Sequence, residues 1–293
     1  MQRWIRSGRA RVNGRQVKTG YLTEPGDEIC ISVPEPERAL PFPEEIPLEV
    51  VYEDSELAVV NKPAGMVCHV GAGIRSGTLV NALLHRYGSL EAGEPTRPGI
   101  VHRLDKFTSG LLVIARNTRA HRGLAQQFKN REIKKEYLAL VHGKLRHPSG
   151  TIELPLGRDP HDRKKISIHA RKTREAITHF QVERELGRVS LLRIRIETGR
   201  THQIRVHLAQ KGHPVVGDTL YGAGRDHDLP NYGAGTRLGR IFLHAHRLEF
   251  RHPQTGKTLT FTAPLPPELS SYLSHLERAG SASKRVPGRA GPS

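Results

Sequence analysis

The chain has 293 residues, and its 46 lysines and arginines outnumber its 29 aspartates and glutamates, which gives a net charge of +17. That length predicts about two domains, and an apolar fraction of 36% excludes a largely disordered chain. We expect neither a transmembrane helix nor a secretory signal, because no apolar run approaches 18 residues and the first residues are polar and basic.

The order of the segments predicts a short unit followed by one large domain. Residues 1–33 form the short unit, and residues 34–45 are a proline-rich linker. The main domain is expected at residues 46–279. Residues 280–293 are rich in glycine, serine, proline and basic residues, and this composition predicts a disordered tail.

Apolar spacing predicts the elements of the main domain. In chain order they are strands at 50–52 and 57–60, a helix at 78–87, a buried strand at 110–115, a helix capped by Asn117 or Thr118, a strand at 134–141, a hairpin of 177–185 and 189–197, a helix capped by Thr201 and running to Lys211, and strands at 241–245 and 247–250. Strands outnumber helices and several connections are short. This pattern predicts an α+β fold with a mainly antiparallel mixed sheet.

The positive charge is concentrated in three blocks. Residues 1–20 contain six lysines and arginines and no acid, residues 97–136 contain ten against three acids, and residues 158–174 contain seven against two. Charge in blocks favours a surface that binds a polyanion, and we expect nucleic acid. Aromatic residues make up only 5% of the chain, which argues against an extended base-stacking platform.

Cysteine and histidine usage predicts no metal and no disulfide framework. The two cysteines, Cys30 and Cys68, form no CxxC pair, and none of the 17 histidines has HExxH spacing. This usage fits a reduced, cytoplasmic compartment.

The segment 99–115 is the best candidate for chemistry. Asp105 precedes a buried strand and is flanked by Arg103 and Lys106. Neighbouring cations favour the ionised form of a carboxyl group, and an ionised carboxylate in a basic groove can act as a nucleophile or base. A turn or capping role for Asp105 is the alternative that the residues themselves leave open.

Six segments carry a resemblance to one family. Residues 102–115, HRLDKFTSGLLVIA, resemble the HRLDxxTSGLLVxA signature of the RluA-type pseudouridine synthases, in the branch that modifies large-subunit ribosomal RNA and some tRNA. The other similar segments are VVNKPAGMVCH at 59–69, REIKKEY at 131–137, ETGRTHQIRVH at 197–207, PVVGDTLYG at 214–222 and LHA at 243–245. The similarity spans residues 46–268. It implies the isomerisation of uridine to pseudouridine in RNA, without metal or organic cofactor.

The resemblance also implies roles for individual residues. Asp105 would attack uracil C6, attack the ribose anomeric carbon, or remove the ribose 2′ hydrogen, and the sequence leaves these three options open. Tyr137 would stack on the target base and assist removal of the C5 proton, and Arg205 would pair with Asp105. The other implied contacts are with RNA, by Arg103, Lys106, Arg200 and His202, and with the uracil ring, by Ile204 and Leu243, for which core packing is the alternative.

The short N-terminal unit resembles the end of an S4 RNA-binding domain. Residues 5–14, IRSGRARVNG, are similar to its IxxGxVxVNG pattern, and residues 21–33 to its closing GDxIxV strand. The first helix of such a domain would have to precede these residues, so we expect a partial S4 unit.

These observations predict a monomeric enzyme that modifies RNA. Large-subunit ribosomal RNA is the expected substrate, with tRNA as the alternative. A non-catalytic RNA-binding protein of ribosome assembly is the competing class, but it has no need of Asp105, Tyr137 and Arg205 together.

Overall fold

The computed structural model describes residues 2–33, 40–71, 73–162, 164–225 and 238–283, and its contacts divide the chain into two compact units, residues 1–39 and 40–293. The division falls inside the predicted linker at 34–45. The first six residues of that linker lie outside the described residues.

The N-terminal unit is a short helix followed by a three-stranded antiparallel sheet. Its elements are α1 (Gln2–Arg6), β1 (Ala10–Val12), β2 (Arg15–Gln16) and β3 (Ile29–Ile31), with β1 in the middle of the sheet. Asn13 and Gly14 join β1 to β2 and both have positive φ, at 48° and 74°. An Asn-Gly pair in this conformation makes a favoured hairpin turn, so these two residues set the β1–β2 pairing.

The larger unit alternates strands and helices. Its elements are β4 (Glu49–Glu53), β5 (Leu57–Lys62), α2 (Leu79–Tyr87), β6 (Ser109–Ala115), α3 (Thr118–Lys129), β7 (Lys134–His142), β8 (Ser149–Glu153), β9 (Leu156–Arg158), β10 (Ile166–Ser167), β11 (Thr173–Arg174), β12 (Ile177–Leu186), β13 (Val189–Ile196), α4 (Gln203–Gln210), β14 (Leu243–Arg251), β15 (Thr258–Thr262) and α5 (Pro267–Ser283).

A nine-stranded mixed sheet organises this unit. Its order is β4-β5-β6-β14-β7-β13-β12-β8, and β15 pairs with β14. The β6–β14 pair is parallel, whereas the other pairs of this sheet are antiparallel. Strands β10, β9 and β11 form a separate small sheet. The predicted α+β fold with a mainly antiparallel mixed sheet is confirmed.

Helices cover both faces of the sheet at β5 and β6. Val60 and Leu112 pack on one face with α2, and Val59 and Leu111 pack on the other face with α3. Every residue of β6 is buried. Burial on both faces explains why this strand is a continuous apolar run rather than an alternating pattern.

The junction between β6 and β14 depends on Gly110. This residue has a φ of +116°, and a Cβ added to it would lie 2.3 Å from the backbone oxygen of Ala245 in β14. Only glycine lets the two backbones approach this closely. The loop that carries Asp105 enters the sheet directly before this junction.

Two element predictions are wrong in detail. The helix predicted to be capped by Thr201 begins one residue later, because its N-cap is His202. This residue has a left-handed backbone, with φ 54°, and its side chain makes no capping hydrogen bond. The strands predicted at 241–245 and 247–250 are one strand, β14, with a register shift between Ala245 and Arg247. A bulge interrupts the two-residue alternation, so the sequence pattern resembles two strands.

The C-terminal helix α5 extends further than the predicted domain end at residue 279. It continues to Ser283. Residues 284–293 of the predicted tail lie outside the described residues. Within the parts of the chain that the structure describes, no helix has the length and apolar character needed to span a membrane.

Candidate active site

A pocket of about 510 Å³ lies in the larger unit. The loop before β6, the start of β7, the segment between β13 and α4, and the first residues of α4 and β14 line it. This volume is in the range of pockets that hold small ligands. Eight of the residues singled out in the sequence line it together: Arg103, Asp105, Tyr137, Arg200, His202, Ile204, Arg205 and Leu243.

Asp105 lies in the loop before β6, and its side chain is 16% exposed. Arg205 donates a hydrogen bond from Nη1 to Asp105 Oδ2 at 3.3 Å, so the expected pair is present. The backbone next to Asp105 is held from β5, because Lys62 Nζ and the Gly65 N–H both donate to the Lys106 carbonyl, at 3.3 and 2.8 Å. The NKPAG segment therefore fixes the position of the loop that carries the carboxylate.

Arg205 makes its closer salt bridge with Asp218. Its Nε and Nη2 donate to Asp218 Oδ2 and Oδ1 at 2.7 and 2.9 Å, and Asp218 is 1% exposed. Asp218 Oδ1 also accepts the backbone N–H groups of Leu220 and Tyr221, at 3.0 and 3.1 Å. Burial acts to lower the pKa of Arg205, but the bonds and charge of Asp218 and the charge of Asp105 outweigh it and raise the pKa. The guanidinium therefore stays charged.

His202 forms the side of the pocket next to Asp105. Its Nε2 lies 4.0 Å from Asp105 Oδ2, and its Nδ1 lies 2.8 Å from the Tyr221 hydroxyl. The Tyr221 oxygen accepts the Ile166 N–H at 2.8 Å, and burial raises the Tyr221 pKa to about 12. The hydrogen bond with Tyr221 engages Nδ1 and holds the ring with Nε2 toward Asp105.

The charge state of His202 follows from its surroundings. Burial lowers its pKa, the positive charge of Arg205 acts in the same direction, and the carboxylate of Asp105 opposes both. The net effect is a lower pKa, so the ring is neutral at physiological pH.

Tyr137 contributes an apolar wall with a hydroxyl group. It is 6% exposed and belongs to the apolar cluster that also contains Ile204 and Leu243. Burial raises the pKa of Tyr137, and the carboxylate of Asp105 adds to the shift, so the phenol stays protonated. Ile204 and Leu243 are 5% and 3% exposed and also line the pocket, so each one is both a core residue and part of the wall.

The predicted RNA contacts lie in different places. Arg103 and Arg200 line the pocket, and Arg200 Nε donates to the Glu175 carbonyl at 3.0 Å. Lys106 lies outside the pocket lining, because its ammonium projects over the exposed ring of Phe107, 5.3 Å from the ring centre.

His102, the first residue of the HRLD motif, is a structural residue. Its Nε2 accepts the Val113 N–H at 3.0 Å, and its ring stacks on Phe128 with centroids 4.6 Å apart. Burial lowers its pKa to about 3, and the charge of Lys135 acts in the same direction. His102 is therefore a neutral acceptor that fixes the loop to β6.

Several residues of this site have no role that the sequence motifs predict, among them Asp218, Tyr221 and Thr108. Asp218 and Tyr221 lie in the PVVGDTLYG segment, which contributes to the family resemblance. Thr108 is buried in the pocket wall, and its Oγ1 has no hydrogen-bond partner in the described part of the chain. A buried hydroxyl group without a partner is available to a ligand.

The site has no arrangement that resembles a metal centre. Within the described residues, no group of three or more His, Cys, Asp or Glu side chains could hold a metal ion. Cys30 and Cys68 are free, the first exposed and the second buried.

Comparisons with known proteins agree with this geometry. Residues 56–210 match the family model described as RNA pseudouridylate synthase. The chain is 41% identical over 281 residues to an uncharacterised RNA pseudouridine synthase of Bacillus subtilis, covering 96% of this chain and 89% of the relative. It is 40% identical over 282 residues to ribosomal large subunit pseudouridine synthase D of Xanthomonas campestris, covering 94% and 83%.

A solved structure supports the same assignment. Human RNA pseudouridylate synthase domain containing 1 is similar with a TM-score of 0.60 and 26% identity, covering 89% of this chain and all of that one. The matched family segment contains the Asp105 loop, Tyr137 and Arg205. The chain is a member of the RNA pseudouridylate synthase family and is an RNA pseudouridine synthase.

Proposed function

We propose that this protein isomerises uridines of large-subunit ribosomal RNA, with Asp105 as the catalytic carboxylate. The observation that carries the proposal is the Asp105–Arg205 ion pair in a pocket whose wall is Tyr137. The pair supplies an ionised carboxylate, and the pocket supplies an apolar surface for the uracil ring.

The reaction rearranges bonds within one nucleotide. The bond between ribose C1′ and uracil N1 breaks, a bond between C1′ and C5 forms, C5 loses its hydrogen as a proton, and N1 gains a proton. Atoms and electrons balance without a co-reactant. Asp105 begins the rearrangement by attack on C6, by attack on C1′ or by removal of the 2′ hydrogen.

The remaining pocket residues bind and position the nucleotide. A paired base must leave its stack before it can enter the pocket, at a cost of a few kcal/mol. Arg103 lies at the exposed side of the pocket, where its planar guanidinium can stack in the place of the flipped base. Tyr137 stacks on the uracil, and its hydroxyl group assists the removal of the proton from C5.

The names of several relatives favour ribosomal RNA over tRNA. Pseudouridine synthases D of the ribosomal large subunit from Xanthomonas campestris, Xylella fastidiosa and Neisseria meningitidis are each 40% identical to this chain. The test is to map pseudouridines in ribosomal RNA and tRNA from a strain that lacks the protein. Sites lost from large-subunit ribosomal RNA support the proposal, and sites lost only from tRNA contradict it.

We extend the proposal to the organisation of the chain. Residues 1–33 act as a partial S4 RNA-binding unit, because the unit contains a small antiparallel sheet and its first 20 residues include six basic residues and no acid. The larger unit, with the predicted residues 46–279 and the end of α5, forms the catalytic domain. The enzyme acts as a monomer in the cytoplasm, a setting compatible with its two free cysteines. Size-exclusion chromatography with light scattering measures the molar mass in solution and so tests the monomeric state.

A further inference from the structure

Lys135 is a buried lysine in the wall of the pocket. It lies on β7 two residues before Tyr137, so both side chains project from the same face of the strand. Lys135 is 7% exposed, and it lines the same pocket as Asp105. Its amine therefore faces the space in which the substrate binds.

The amine of Lys135 has an aromatic ring as its neighbour, and no carboxylate of the described residues pairs with it. It lies over the ring of Phe128, 5.6 Å from the centroid, and Phe128 stacks in turn on His102. Within the described residues, Lys135 makes no salt bridge and no hydrogen bond through its amine. Burial is the cause that lowers its pKa, to about 8, so the group is mainly charged at neutral pH.

Lys62 shows how the same protein treats a buried lysine that has a structural role. It is 0% exposed, and its amine donates to the carbonyls of Pro63, Met66 and Lys106 at 2.7, 2.9 and 3.3 Å. A buried charge is costly unless it is paired or hydrogen-bonded. The Lys135 amine has no such carbonyl partners, and it is not among the fully buried polar atoms that lack a partner, so it reaches the solvent of the pocket, where an anionic group of the substrate can replace water.

The position and the charge of the surroundings indicate what that partner is. Lys135 precedes Tyr137 by two residues of strand, a distance of about 6.6 Å, so a lysine side chain at this position can reach a group next to a base that lies against Tyr137. Arg97, Lys129 and Arg131 also line this pocket. Arg131 is paired with Glu175 and Glu197, whereas Lys135 has no ion pair within the described residues.

We propose that Lys135, with its ammonium placed by Phe128, binds the backbone phosphate next to the target uridine. This inference rests on the proposed function, since it assumes an RNA strand whose target base lies against Tyr137. A phosphate would neutralise the ammonium and satisfy its N–H donors, as the three carbonyls do for Lys62. The contact holds the strand in register while it carries no sequence information.

The test compares Lys135→Met and Lys135→Arg with Lys144→Met. Lys144 is the matched control, because it lies outside the pocket and is 63% exposed, with Glu185 at 3.3 Å. Binding to transcribed large-subunit ribosomal RNA is measured between 50 and 200 mM salt. Loss of one phosphate contact lowers the slope of log K against log salt by about 0.7–0.9. We expect this change for Lys135→Met, with the slope retained in Lys135→Arg and Lys144→Met.

Thermal melting separates binding from folding. We expect Lys135→Met to melt at or above the temperature of the wild type, because the change removes an unpaired buried charge and keeps the stem of the side chain. A lower melting temperature would show a structural role and overturn the inference. A loss of affinity without a change in slope would also overturn it, because it indicates contact with a base.

The same transcript keeps the two proposals distinct. If the wild type releases no tritium from C5-labelled uridine in this RNA, the proposed function fails. If the wild type is active and the Lys135→Met slope equals that of the wild type, the proposed function stands and the phosphate contact is wrong.

Discussion

Arg205 makes a two-bond salt bridge with Asp218 and a single bond with Asp105. The first pair is joined at 2.7 and 2.9 Å and the second at 3.3 Å. Because Asp218 also accepts two backbone N–H groups, it holds the guanidinium in a fixed plane. Asp218 is thus a positioning residue that acts on Asp105 through Arg205.

Asp218→Asn is expected to lower turnover by at least about tenfold, which corresponds to about 1.4 kcal/mol of activation free energy. The asparagine amide has the size of the carboxylate but only one oxygen, so Arg205 loses one of its two hydrogen bonds to residue 218. The plane of the guanidinium is then no longer fixed. Turnover is measured by tritium release under single-turnover conditions. Removing one partner of a buried pair costs about 3–5 kcal/mol of stability, so melting curves accompany the assay.

Glu268→Gln is the matched control for that variant. Glu268 pairs at 2.9 Å with Arg240, whose side chain is 8% exposed, and both residues lie outside the pocket lining. We expect this change to affect melting while turnover stays at the wild-type level. Equal turnover losses in the two variants would show that Asp218 acts through stability alone.

The backbone at His202 predicts an unusual order of stability. His202→Gly and His202→Ala both remove the ring, but at φ 54° alanine has a left-handed cost of about 1–2 kcal/mol that glycine avoids. We therefore expect the glycine variant to be the more stable, the reverse of the usual order at helical positions. Urea unfolding measures the difference. An alanine variant of higher stability would contradict the left-handed conformation.

The β6–β14 junction is expected to tolerate no side chain at residue 110. Gly110→Ala places a methyl group against the Ala245 backbone, so we expect a loss of about 3 kcal/mol or more. Gly239→Ala is the control, because an added Cβ meets nothing within 4 Å there. Melting temperatures of both variants are compared. Similar values for the two would argue against the close backbone approach.

Thr108 is expected to bind the substrate through its hydroxyl. Thr108→Val removes a buried oxygen that has no partner, so stability should be unchanged or higher. We expect kcat/KM to fall about tenfold, a typical value for one hydrogen bond, and Thr108→Ser to retain activity. Kinetics on ribosomal RNA transcripts test this. Full activity of the valine variant would show that the hydroxyl has no contact with substrate.

Local patterns explain what the sequence predicted well. The apolar run of β6 and the spacing of α3 depend on neighbouring residues. β6 lies within one residue of its predicted bounds, and α3 has Asn117, one of its two predicted caps, as the N-cap. The meeting of Asp105, Tyr137 and Arg205 in one pocket followed from the family resemblance rather than from spacing. No periodicity connects positions separated by up to 100 residues.

Other features depend on tertiary contacts that leave little trace in the sequence. Lys135 is adjacent to Lys134 and Glu136, and such a charged stretch indicates exposure, yet the packing of Phe128 buries it. Thr201 is of a residue type that is common at helix N-caps, but the N-cap of α4 is the next residue, His202, which has a left-handed backbone. The strands of the small sheet, β9 to β11, are two or three residues long, too short to show alternation.

Asp105→Asn is the most direct test of the catalytic assignment. The variant keeps the shape of the side chain and removes its charge, so the pocket, the fold and RNA binding should persist. Tritium release from C5-labelled uridine in large-subunit ribosomal RNA is measured beside melting curves and RNA affinity, for Asp105→Asn, Arg205→Ala and the double variant. We expect each single variant to lose nearly all turnover and the double variant to lose little more, because the two residues act as one unit. Substantial tritium release by a well-folded Asp105→Asn protein would contradict the account.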